Sequence, residues 1–218
     1  MSANMGTDGI ELDAAGSLAE LLDGNRRFVN GEVAHPNQDV HRRAGLTGGQ
    51  RPFALIFGCA DSRVAAEIIF DRGLGDLFVV RTAGHAVDNA VLGSIEFGVD
   101  VLEIPLVIVL GHDSCGAVKA TMEAHDSGRM PSGYLRSVVE MLSSSVIGAR
   151  LQGHGEINEI VADHSVQVAQ ELPERSSVIG RRVADGRLAI VAMEYALADG
   201  QVRVLSSTIG TAQDPQVA

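Results

Sequence analysis

Phe53-Ala54-Leu55-Ile56-Phe57-Gly58, followed at once by Cys59-Ala60-Asp61-Ser62-Arg63, is the stretch that decides the fold. A run that is apolar at every position suits a strand buried on both faces, as in a parallel sheet. Leu77-Phe78-Val79-Val80, Leu106-Val107-Ile108-Val109-Leu110 and Leu188-Ala189-Ile190-Val191-Ala192-Met193 have the same texture. Helical stretches lie between them: Val64–Phe70, Asn89–Leu102, and a long segment from about Gly116 to Glu171. Pro173 is expected to interrupt the helices before the last strand. Strands alternating with helices predict an α/β fold, a mostly parallel β-sheet flanked by helices. Gln201–Leu205, after Asp199-Gly200, is expected to pair back as an antiparallel edge strand at the C-terminal end.

Towards the N-terminus, Ser17-Leu18-Ala19-Glu20 has the form of a capping box. Leu18, Leu21, Leu22 and Phe28 follow roughly at helical spacing and predict an N-terminal helix extension over Ser17–Asn30. His35-Pro36-Asn37-Gln38 reads as a loop. The expected division is a flexible N-terminus at 1–16, one domain over 17–210, and a flexible tail at 211–218. No internal repeat or low-complexity tract is evident.

Composition narrows the function classes. Of the 218 residues 45% are hydrophobic, enough to bury a core, and 28 acids against 17 bases give a net charge of −11. No Lys/Arg stripe exists, which argues against a nucleic-acid surface, and the acidic balance disfavours anionic membrane. No apolar run approaches the ~20 residues that span a bilayer. Met1–Ala15 has neither a basic nor an apolar segment of a secretory signal. A cytoplasmic protein with reduced thiols is the expectation. There, Cys59 and Cys115, the only two cysteines, serve as metal ligands or catalytic groups rather than as a crosslink.

The chemistry concentrates in two segments of one design. Gly58-Cys59-Ala60-Asp61-Ser62-Arg63 directly follows one buried strand, and Gly111-His112-Asp113-Ser114-Cys115-Gly116 directly follows another. Ligands of open α/β sheets bind at the carboxyl ends of strands. Zinc favours thiolate and imidazole in tetrahedral geometry. His112 and Cys115, at i and i+3, converge on one ion if the strand turns into a helix there, and Cys59 supplies a third ligand. Three ligands leave a fourth position for water, as in a catalytic site. Zn²⁺ with two thiolates and a neutral imidazole carries about zero net charge, so its water is less acidic than at a three-histidine site, where the pKa falls to about 7. Activity is therefore expected to rise on the alkaline side. Asp61 and Arg63, at i and i+2, point the same way in extended chain. The Arg63 fork can grip the Asp61 carboxylate, leaving it to orient the zinc-bound hydroxide. Released, Asp61 would become a fourth zinc ligand and close the site.

Cys59-Ala60-Asp61-Ser62-Arg63, with His112-Asp113-Ser114-Cys115 about fifty residues later, resembles the signature of the β-carbonic anhydrase family, over about Leu18 to Thr208. The resemblance implies zinc-dependent reversible hydration of CO2 to bicarbonate and a proton, in a homodimer or dimer of dimers whose N-terminal helices pack on the partner. It implies a substrate pocket lined by Gln50, Phe78, Phe97 and Gly116. Some members are switched off by bicarbonate at a site that uses a tryptophan three residues before the first cysteine. That position is Ile56 here, so the switch is not expected in that form, although Gly58 resembles the regulated subgroup. His85 and Asp113 are polar residues near the motifs; His85 reads as a loop histidine, with a proton shuttle as the alternative. Competing readings are hydrolysis of COS or CS2 on the same zinc site, and a non-catalytic module whose structural zinc is completed by Asp61. A nucleotide site lacks both its glycine pattern and a phosphate loop, and a thioredoxin-like role lacks CxxC.

Overall fold

A computed structural model describes residues 12–210. The calls on residues 1–11 and 211–218 lie outside the described residues. One five-stranded sheet runs through the fold: β1 (Ala54–Cys59), β2 (Leu77–Thr82), β3 (Leu106–His112), β4 (Ala189–Tyr195) and β5 (Val202–Ser207), in the order β2-β1-β3-β4-β5. The first four strands are parallel, and β5 returns antiparallel to β4. β1, β3 and β4 are buried at every position, as their uninterrupted apolar runs require. β2 has the same apolar texture but lies half-exposed, because it is an edge strand with only β1 beside it.

The pleat sorts the apolar side chains onto two faces. Leu55 and Phe57, with Val107, Val109, Ile190 and Ala192, form one core beneath α4 (Asn89–Glu96), α7 (Ile157–Arg175) and α8 (Ser177–Ala184). Ala54 and Ile56, with Leu106, Ile108, Leu110, Val191 and Met193, form the other, covered by α1 (Ala14–Asn30) and α3 (Ala66–Ile69). α2 (Val40–Gly45) carries no buried residue.

Several boundaries differ from the sequence reading, each for a local reason. α1 begins at Ala14, capped by the Asp13 carboxylate on Gly16 N–H at 2.7 Å. Ser17 is not a cap; it is fully buried in the first turn and donates to the Phe53 carbonyl at 3.0 Å. The 64–70 stretch shortens to the single turn of α3. The 89–102 helix ends α-geometry at Glu96 and continues as a π turn over Phe97–Val101. The long 116–171 segment is three helices: α5 (Gly116–Ser127), α6 (Leu135–Leu151) and α7. The breaks fall at Gly128 to Gly133, which includes Pro131, and at Gly153-His154-Gly155. Pro173 does not interrupt α7 but sits in its last turn, two residues before Arg175.

Candidate metal centre

β1 and β3 are parallel neighbours, so their carboxyl ends reach the same edge of the sheet. β1 ends on Cys59 and β3 on His112; Cys115 follows as the residue that opens α5. One ligand atom from each of these three buried residues lies within 4.8 Å of the others. The Cys59 and Cys115 sulfurs are 3.9 Å apart, far beyond the ~2.05 Å of a disulfide. Two sulfurs at ~2.3 Å from a tetrahedral zinc would stand about 3.8 Å apart. His112 Nδ1 lies 2.8 Å from the Asp113 carbonyl, which only accepts, so Nδ1 carries the proton. Nε2 is left as a bare lone pair with no hydrogen-bond partner, buried beside the sulfurs. An unpartnered lone pair beside two thiols is the donor set that a thiophilic cation such as zinc fits.

The electrostatics agree. The Cys115 thiol beside Cys59, opposed by burial and helped by the Asp61 and Gly84 amides, lowers the Cys59 pKa to about 4. The Cys59 thiolate and burial together push Cys115 above the usual thiol range. One ligand is thus already charged, and an approaching cation deprotonates the second.

Asp61 and Arg63 form a closed ion pair, but in a turn closed by the Val64 amide on the Asp61 carbonyl at 3.0 Å and not in the extended chain that their spacing suggested. Arg63 Nε and a terminal nitrogen reach the two Asp61 carboxylate oxygens at 3.0 and 2.7 Å, and the Arg63 amide adds a third bond at 2.9 Å. These bonds hold the Asp61 carboxyl far below the usual range. Asp61 stands outside the Cys59/His112/Cys115 group in this arrangement. Arg81, which the sequence did not single out, donates to the carbonyls of Cys59 and Asp61 at 2.8 and 2.5 Å and so fixes the loop from behind. On the other arm, Asn158 accepts from the Ser114 amide at 2.9 Å, holding that residue at a φ of 54°.

The remaining candidates disperse. Gly116 is exposed beside Cys115, with open space where a Cβ would stand. Gln50 is exposed before β1. Phe78 and Phe97 pack on each other, ring centroids 6.1 Å apart. Phe78 pairs with Leu55 and Thr82 with Cys59, so Phe78 sits about 13 Å down the strand from the level of Cys59. His85 lies in the turn Ala83–His85 between β2 and α4, as a loop histidine. It is fully buried between Phe57 and His164, and burial holds its pKa well below the usual value. A group sealed from solvent and held neutral does not shuttle protons to water.

Comparison with known proteins now defines the class. The family model described as carbonic anhydrase matches residues 54–202. The carbonic anhydrase of Mycolicibacterium smegmatis is 55% identical over 186 residues, 85% of this chain and 90% of that protein. Carbonic anhydrase 2 of Mycobacterium tuberculosis is 56% identical over 190 residues, 87% of this chain and 91% of that protein. Among solved structures, the Coccomyxa β-carbonic anhydrase in complex with acetazolamide superposes with a TM-score of 0.69 at 26% identity, covering 87% of each chain. The chain belongs to the carbonic anhydrase family of enzymes, and within it to the β class.

Proposed function

We propose that this chain catalyses CO2 + H2O ⇌ HCO3⁻ + H⁺ on a zinc ion held by Cys59, His112 and Cys115. The observation that carries the reading is the convergence of two sulfurs and one bare imidazole nitrogen at the end of two adjacent strands. Bound there, zinc would polarise a water molecule and make it a nucleophile on the alkaline side of neutral pH.

The chain's own residues supply the rest. Asp61, pinned by Arg63 and held ionised, is an acceptor only. It accepts a hydrogen bond from the attacking water and turns that water's lone pair towards carbon. Arg63 is spent on Asp61, so the carboxylate is kept away from the metal position. Gly116 leaves open space on the solvent side, where a small linear substrate fits. Phe78, Phe97 and Gln50 reach a pocket only across an interface between copies, because within one chain the aromatics sit far down the sheet from the ligands. Assembly into a homodimer or a dimer of dimers is part of this reading; Phe97 and Val101 expose 45% and 62% of their surface on the π turn. A cytoplasmic location, which keeps both thiols reduced, completes it; among the described residues no helix is long and apolar enough to cross a membrane.

The test is stopped-flow CO2 hydration from about pH 6.5 to 9, with zinc assayed on the same sample. About one zinc per chain and turnover that grows with pH are expected, since two thiolates blunt the acidity of the water. Zinc at full occupancy with no turnover at any pH would overturn the reading.

A further inference from the structure

His164 and Ser145 lie behind the metal ligands, on α7 and α6, and the reaction as described does not use them. Both are buried. His164 Nε2 is 3.0 Å from the Gly84 carbonyl, and Nδ1 is 2.7 Å from Ser145 Oγ. The carbonyl can only accept, so Nε2 carries the proton. Nδ1 is therefore the acceptor, and the Ser145 hydroxyl donates to it. Every polar atom of the ring is used and the tautomer is fixed. Burial lowers the His164 pKa and keeps the ring neutral, as this arrangement needs.

Gly84 faces the opposite way as well. Its N–H donates to Cys59 Sγ at 3.3 Å. The residue sits at φ 62°, which favours glycine. A Cβ there would meet Ala117 Cβ and a Leu142 methyl, each at 2.8 Å. The turn Ala83–His85 is thus wedged against α5 and α6, and His164 holds its carbonyl. An amide N–H on a thiolate draws charge off the sulfur, and a thiolate that gives less charge leaves its metal ion more positive.

We propose that His164, oriented by Ser145, is a positioning residue: it holds the Gly84 turn so that the Gly84 amide donates to Cys59 and sets how much charge that sulfur gives the metal. The inference rests on the metal-site reading above. His164 Nε2 touches no ligand, so its effect runs through the backbone of one glycine. Partners that orient or bond to metal ligands typically change metal affinity by about 10–100-fold when lost.

The experiment uses full-length protein loaded with cadmium-113. Scalar coupling between the Gly84 amide proton and the metal, carried through the N–H···S bond, is read by proton–cadmium NMR. The native protein is expected to show it, His164→Leu to lose it, and His164→Gln, which keeps a donor at the same reach, to restore it. Competition with a chelator is expected to show zinc binding about 10-fold or more weaker in His164→Leu. A purely structural role would lower the melting temperature without touching the coupling. If His164→Leu does not fold, Ser145→Ala, which frees the ring to turn, gives the same reading. Protein that takes up cadmium but shows no Gly84 coupling, or a folded variant with native coupling and zinc affinity, overturns this inference alone. Protein that binds no metal overturns the metal-site reading and this inference with it.

Discussion

Gly24→Ala puts two physical effects in opposition. Gly24 lies mid-helix in α1, where alanine is favoured over glycine by about 1 kcal/mol. Propensity alone therefore predicts a more stable protein. The structure predicts the reverse, because a Cβ at Gly24 would stand 1.8 Å from the Phe70 carbonyl oxygen and 2.7 Å from its carbon. These are backbone atoms that follow the only turn of α3, so no rotamer change relieves the contact. α1 has to move away by more than 1 Å. That strains the Asn25 bond to the Ile69 carbonyl at 3.2 Å and the Ser17 bond to the Phe53 carbonyl at 3.0 Å. Overpacking of this kind costs about 1–3 kcal/mol, and each weakened hydrogen bond about 1 kcal/mol. Against the propensity gain, the net loss is about 3 kcal/mol, or a melting temperature about 6–12 °C lower for a chain of this size. Urea unfolding of native and Gly24→Ala protein at the same zinc content measures it. A midpoint unchanged or raised would refute the reasoning, because it would mean that α1 does not rest on Phe70.

Cys59→Ser, His112→Ala and Cys115→Ser are each expected to lose zinc, checked by metal analysis of the purified proteins. Asp61→Asn should keep the metal and lose turnover by about 10²–10⁴-fold, the range of a positioned proton acceptor; full activity in stopped flow would remove Asp61 from the mechanism. Arg63→Ala frees Asp61 to swing to the metal, so zinc content is expected to hold while turnover collapses, and zinc X-ray absorption should then report an added oxygen ligand. Burial lowers the pKa of His85 and of His164 in the folded protein. Their contribution to stability is therefore fully present above the unfolded histidine value of about 6.5 and is lost as pH falls from there towards the folded values. Urea midpoints between pH 7.5 and 5.5 should fall, at up to about 1.4 kcal/mol per pH unit for each ring, and His164→Gln should flatten that slope.

The sheet and the grouping of Cys59, His112 and Cys115 were legible because both are written in short, local sequence. Apolar runs mark β1, β3 and β4, and the polar residues that end them are adjacent in the chain. α1 was misplaced by three residues because Ser17 and Glu20 have the types of a capping box while being used elsewhere. Ser17 bonds to Phe53, and Glu20 pairs with the buried Arg72 at 2.7 Å. The burial of His85 was not legible because nothing local shows that α7 will cover it. The brace of Ser145, His164 and Gly84 was illegible for the same reason: His164 and Gly84 are 80 residues apart, and only the packing of α6 and α7 brings them together.

The two sulfurs also matter to the topology of the chain. Cys59 and Cys115 are 56 residues apart in sequence. An ion shared between them would close that loop and act as a removable staple between the neighbouring strands β1 and β3. Closing a loop of that length costs an unfolded chain about 3.6 kcal/mol of entropy, so an ion would bind the folded sheet, where the loop is already closed, in preference to the unfolded chain and so stabilise the fold. The atoms that would activate a substrate would then also set how tightly the centre of the sheet is tied, so a chelator acts on this protein's mechanical integrity as well as on its chemistry.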